Sequence, residues 1–148
     1  MKYIASVLLG LVFGTAVAGQ PKGNLEQFSS GDSSNGNVHL YVSDDQSQLY
    51  SVHFYENVDD FYWDVCTPPR TERLKISDVQ FFWRSEIESF KVSFGKFGEE
   101  TFHIADMVDL PESRKWILST LIKKGKKPKI TYRGCGSGAI TYLVSIER

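Results

Sequence analysis

The sequence predicts a mainly β fold with one helix, of the α+β class, whose single helix precedes the last two strands. Three observations lead there. Short runs of alternating apolar and polar residues recur, with Val38, Leu40 and Val42, then Tyr50, Val52 and Phe54, as the clearest. Ten Phe, seven Tyr and three Trp supply the aromatic content that suits half-buried strands. Only the stretch between Asp109 and Gly125 carries its apolar residues at helical spacing.

In chain order, Lys2, the apolar run from Ile4 to Phe13 and the small residues Ala16 and Ala18 have the layout of a secretory signal peptide. Residues 1–18 are therefore assigned to export with cleavage near Ala18, and the expectation is a secreted or periplasmic protein. The run is shorter than the roughly 20 residues that cross a bilayer, so no membrane span is expected. Residues 19–37, rich in Gly, Ser and Asn, read as a flexible leader too polar to offset the entropy of ordering it. Residues 38–148 read as one domain. The formal net charge of −1 provides no global attraction for nucleic acid, which is excluded as an expected partner.

The first two strands make a hairpin around Asp44-Asp45-Gln46-Ser47-Gln48. If Val42 pairs with Tyr50, Leu40 faces Val52 and Val38 faces Phe54, which puts the apolar set on one side and fixes the register. Phe61, Trp63 and Val65 predict a third strand ending at Cys66, and Pro68-Pro69 interrupts any ladder there. A strand from Leu74 to Trp83 follows. Phe90, Val92 and Phe94 then enter a hairpin at Gly95-Lys96-Phe97-Gly98 and return through Phe102 and Ile104.

A helix is predicted over Asp109–Lys124. Asp109 and Glu112 form a capping-box pattern, Pro111 suits a first turn, and Ile117, Leu118, Leu121 and Ile122 form one apolar stripe that Gly125 ends. The last strands are Lys129–Arg133 and Ala139–Glu147.

Cys66 and Cys135 are the only cysteines, and an exported chain has one way to pair them internally. The closed loop of about 70 residues corresponds to roughly 4 kcal/mol in the chain-entropy account of disulfides. Neither cysteine has metal-site or redox spacing, and no cofactor is expected.

Candidate sites are few. His39 and His53 fall opposite one another in the predicted register, on the polar face, and would serve a small exported hydrolase. Lys123, Lys124, Lys126, Lys127 and Lys129 crowd the end of the helix and would suit an anionic partner. Trp116 sits at the edge of the helical stripe, where an amphipathic ring suits an interface. Asp44-Asp45 and Asp59-Asp60 read as turn chemistry.

The stretch from Asp109 to Arg148, with its capped helix, Gly-Lys-Lys before a strand, late cysteine and final Ala-Ile-Thr-Tyr-Leu-Val-Ser-Ile strand, resembles the C-terminal half of bacterial AB5 toxin B subunits of the cholera, heat-labile enterotoxin and subtilase types. The resemblance covers under a third of the chain. It implies an OB-like antiparallel β-barrel that forms a homo-oligomeric ring and binds a cell-surface glycan, with Trp116, Lys123, Lys124, Lys126 and Lys127 at or beside the ring contact. Ser137 stands where the cholera type has its sugar-binding tryptophan, and Cys66 lies far from that type's N-terminal cysteine, so no receptor-binding residue carries over. The expectation is thus a non-enzymatic binding protein for a glycan or another protein. The alternatives are the hydrolase and a cell-envelope inhibitor or accessory protein.

Overall fold

The computed structural model describes residues 22–29, 37–54, 66–83, 86–104, 108–135 and 140–148. The signal-like segment, the expected Phe61–Val65 strand, Asp59-Asp60 and residues 136–139 lie outside the described residues. The described chain is mainly β, in two antiparallel sheets with one short helix, and not the single closed barrel expected.

Nine strands are present among the described residues. The larger sheet has the order β1-β2-β3-β9-β8-β4 and the smaller one β5-β6-β7. They are β1 (Asn24–Ser29), β2 (Asn37–Val42), β3 (Leu49–His53), β4 (Arg70–Arg73), β5 (Lys75–Trp83), β6 (Glu86–Ser93), β7 (Glu99–His103), β8 (Lys129–Cys135) and β9 (Ile140–Glu147). β4 and β5 meet at buried Leu74, so one length of chain leaves the first sheet and enters the second. That corner explains why the expected Leu74–Trp83 strand begins earlier, with β4 paired on β8.

The hairpin register follows the alternation. Leu40 pairs with Val52 and His39 with His53. Val42, however, pairs with Leu49 rather than Tyr50, because the ladder shifts between Tyr41 and Val42. The bulge gives buried Leu49 the core place that the simple alternation assigned to Tyr50.

Asn24–Ser29, inside the stretch read as a leader, is a full strand paired antiparallel with β2. Its polar composition hid it, but Phe28 packs against the core and Arg114 binds the Glu26 carboxylate and, at 3.0 Å, Gln46 Oε1. Main-chain pairing and this tether supply what apolar content lacks.

The expected Asp109–Lys124 helix is a correction. Helical residues reduce to a 3₁₀ turn, Lys115–Ile117, and one α-helical turn, α1, Leu118–Leu121. The Pro111 carbonyl closes a turn by accepting the Arg114 N–H at 2.7 Å, and no side chain caps either helical piece. Ser119 and Thr120 donate their hydroxyls to the carbonyls of Trp116 and Ile117, a local bonding that competes with helix propagation. Ile122 is already extended. The stripe still does what its pattern requires, since Ile117, Leu118, Leu121 and Ile122 are all buried.

One hydrophobic cluster joins everything: Leu40, Val52, Ile130 and Ile146 from the large sheet, Ile76, Ile87, Phe90, Val92 and Phe102 from the small one, and the helical stripe between them. Cys66 and Cys135 form the expected disulfide, with α-carbons 4.0 Å apart. The bond staples the chain before β4 to the end of β8. Thr67 N–H donates to the Gly134 carbonyl at 2.8 Å, and pairing then resumes at Arg70 beyond the two prolines.

Candidate functional site

Three surface regions carry chemistry, and the strand register builds the first. On the outer side of the large sheet, successive pairings align Gln27, His39, His53, Ser145, Thr131 and Thr71 in one row across all six strands. Gln27 Nε2 lies 3.0 Å from His39 Nε2, and the Thr71 and Thr131 hydroxyls are 2.9 Å apart. Tyr41 packs its ring edgewise on His53, with centroids 5.2 Å apart. Burial holds the His53 imidazole below the ordinary value of 6.5; the nearby Glu147 charge opposes that shift and His39 adds to it. The neutral form of His53 is therefore favoured.

The expected cross-strand juxtaposition of His39 and His53 is present, yet it lies on a sheet surface rather than in a cavity. Neither histidine lines either of the two described concavities. Among the described residues, no group of three or more His, Cys, Asp or Glu is placed to hold a metal ion. His103 is exposed on β7. In the β2–β3 turn, Asp45 accepts from the Ser43 and Ser47 hydroxyls and the Ser47 N–H, which lowers its carboxyl to about 2. The aspartate pair at 44–45 is thus turn chemistry, as its position suggests.

The second region is aromatic. At the far end of β5, Phe81 is 48% and Phe82 74% exposed. Phe81 pairs with Ile87 and Trp83 with Glu86, whose carboxylate binds Lys115 Nζ at 3.0 Å. That ion pair brings the 3₁₀ turn to the same end of the molecule, and Trp116, 37% exposed, sits on it with its indole N–H donated to the Ser113 carbonyl. A cavity of about 170 Å³ is lined in part by Glu86, Ile87, Leu110 and Lys115, and by none of the rings of Phe81, Phe82 and Trp116. Alternation in the sequence identified β5 but assigned its end no role; adjacent Phe81 and Phe82 were the available signal.

The third region divides the lysine cluster. Lys124 Nζ binds Asp78 at 3.2 Å and Lys129 Nζ binds Glu147 at 3.6 Å. Lys123, Lys126 and Lys127 instead line a cleft of about 360 Å³ with Thr120, Leu121, Pro128 and Arg148. Arg148 has no counterpart in the sequence-based site list. It reaches the cleft only because β9 runs beside β3, where its guanidinium donates to the Leu49 carbonyl, Gln48 Oε1 and the Thr120 carbonyl at 3.0, 2.7 and 3.3 Å.

Compared with known proteins, the chain matches no protein-family model, no curated protein and no solved structure.

Proposed function

We propose that this chain is an exported, non-enzymatic binding module that takes hold of a carbohydrate chain through the aromatic end formed by Phe81, Phe82 and Trp116. The observation that carries the reading is the exposure of the first two side chains together with the placement of Trp116 at the same end. Exposed aromatic rings offer flat faces for stacking against sugars at little conformational cost. Catalysis asks instead for polar groups converging in a concavity, and His39 and His53 line neither of the two described concavities.

Export rests on the signal-like start and on the Cys66–Cys135 disulfide, which belongs to an oxidising compartment. Among the described residues, no helix is long and apolar enough to cross a membrane. The OB-like, ring-forming toxin B-subunit resemblance extends the proposal: Trp116 would then lie beside a contact between copies, and several aromatic ends would act together.

A glycan array probed with the labelled, folded chain tests the reading. Saturable binding to a defined set of carbohydrates is expected. A folded chain that binds none of them would overturn it, as would hydrolysis of a substrate that depends on His39 or His53.

A further inference from the structure

The lysine-rich cleft stands at the opposite end of β5 from the exposed phenylalanines, and its framework is fixed. Gly125, at φ +82°, turns the chain so that its N–H donates to the Ile76 carbonyl at 2.8 Å, while the Ile76 N–H donates to the Lys126 carbonyl at 2.9 Å. The Lys126 N–H closes the turn on the Lys123 carbonyl at 3.1 Å. Just beyond, the Leu74 N–H donates to the Pro128 carbonyl at 3.2 Å, and Arg73 donates to the Lys127 carbonyl at 3.2 Å. On the other wall, the Arg148 N–H is bonded to the Tyr50 carbonyl at 3.0 Å, and Thr120 Oγ1 accepts the Leu49 N–H at 2.8 Å. The main chain of every cationic residue in the cleft is therefore hydrogen-bonded, Lys127 through the Arg73 side chain and the others through backbone partners.

Charge is distributed against the average of the molecule. The chain as a whole is formally −1, but every ionisable side chain lining this cleft is positive. Among the described residues, no carboxylate pairs with Lys123, Lys126 or Lys127, and Arg148 bonds only neutral oxygens. The two neighbouring lysines that do find carboxylates, Lys124 and Lys129, point away to Asp78 and Glu147. Cations gathered around a concavity repel one another and focus a positive potential into it, and an oxyanion bridging them relieves both effects. Lysine supplies adaptable point charges, and arginine a planar donor already oriented by its bonds. A volume of about 360 Å³ lies at the small end of ligand sites.

We propose that this cleft binds a compact polyanion, a small molecule or glycan terminus carrying two or more phosphate or sulfate esters, between Lys123, Lys126, Lys127 and Arg148. The site is independent of the aromatic end, so either assignment can fail without the other.

The test titrates the chain with pyrophosphate and, separately, with a trisulfated heparin disaccharide at low ionic strength. Binding of at least one probe is expected, weakening as salt rises because the contacts are ionic. The probe that binds more tightly identifies the ester class. Lys127→Glu should weaken binding about tenfold or more, the effect of reversing a charge in direct contact with a multivalent anion. His103→Glu, which adds a negative charge on exposed β7 where it pairs with Ser89 toward the other end of that sheet, should leave binding within about twofold at about 0.15 M salt, where exposed charges more than about 8 Å apart are largely screened. Ligand should also raise the melting temperature of the unaltered chain and of His103→Glu, but not of Lys127→Glu. Equal weakening in both variants, or no binding of either probe to the folded chain, would overturn the proposal.

Discussion

Two neighbouring rows of the large sheet, one residue apart on every strand, divide the work of the molecule. The inner row, Leu40, Val52, Ile146 and Ile130, runs across β2, β3, β9 and β8, and each side chain is fully buried. The outer row, Gln27, His39, His53, Ser145, Thr131 and Thr71, crosses the same strands with hydroxyl, amide and imidazole groups. The backbone hydrogen bonds are common to both, so the difference lies in side-chain chemistry. One row packs in the hydrophobic core, and the other carries polar groups that range from exposed Thr71 to buried Ser145.

Truncation should expose the contrast most strongly. Ile146→Ala is expected to cost about 2–5 kcal/mol, the range for emptying a fully buried aliphatic site. Thr131→Val, one residue from the facing Ile130, removes a hydroxyl pair with Thr71 and is expected to cost at most about 1 kcal/mol. Urea unfolding midpoints of the two variants would show it, and equal losses would mean that the outer row carries packing too.

Removing the staple tests the edge of the same sheet. Replacing Cys66 and Cys135 together by serine should cost about 2–4 kcal/mol, chiefly by freeing the unfolded chain. The β4 edge, held to β8 by only four paired residues, should become the first region to exchange amide hydrogens. Uniform exchange across the large sheet would contradict a local role for the bond.

A smaller effect separates the rows by pH. The folded His53 imidazole titrates below its ordinary 6.5, burial being the main cause, with Glu147 opposing and His39 reinforcing. The unfolded chain therefore binds a proton first as pH falls, so the stability associated with this group is complete above pH 6.5 and declines below it. The melting temperature of the unaltered chain should drop between about pH 7.5 and 5 more than that of His53→Gln. Identical pH profiles would show that the burial of His53 has no thermodynamic consequence.

Much of this division can be read from the sequence. The His39–His53 pairing follows from alternation alone, because a strand's period of two fixes which residues share a face. The late hairpin of β8 and β9, the disulfide and the buried helical stripe were legible for similar reasons. Other features depend on contacts distant in sequence. Leu49 displaces Tyr50 through a bulge that no local pattern announces, and β1 is a strand because it borrows β2's edge and Arg114. The helix shrank because a proline turn and two hydroxyls satisfied the backbone in other ways. In the cleft, Lys123, Lys126 and Lys127 were visible as a run, but which lysines remained unpaired depended on Asp78 and Glu147. Arg148 joined them because its guanidinium is held by Leu49 and Gln48, roughly a hundred residues away in sequence.

The proposed function is binding through the aromatic end rather than reaction through the histidines. The direct measurement is a titration of the carbohydrate selected on the array against three folded chains: unaltered, Phe82→Ala, and His39→Ala with His53→Ala. Phe82→Ala should weaken binding by roughly tenfold or more, as truncation of an aromatic hot spot does, while the double histidine variant binds as the unaltered chain does. Full affinity in Phe82→Ala, or its loss in the histidine variant, would contradict the account.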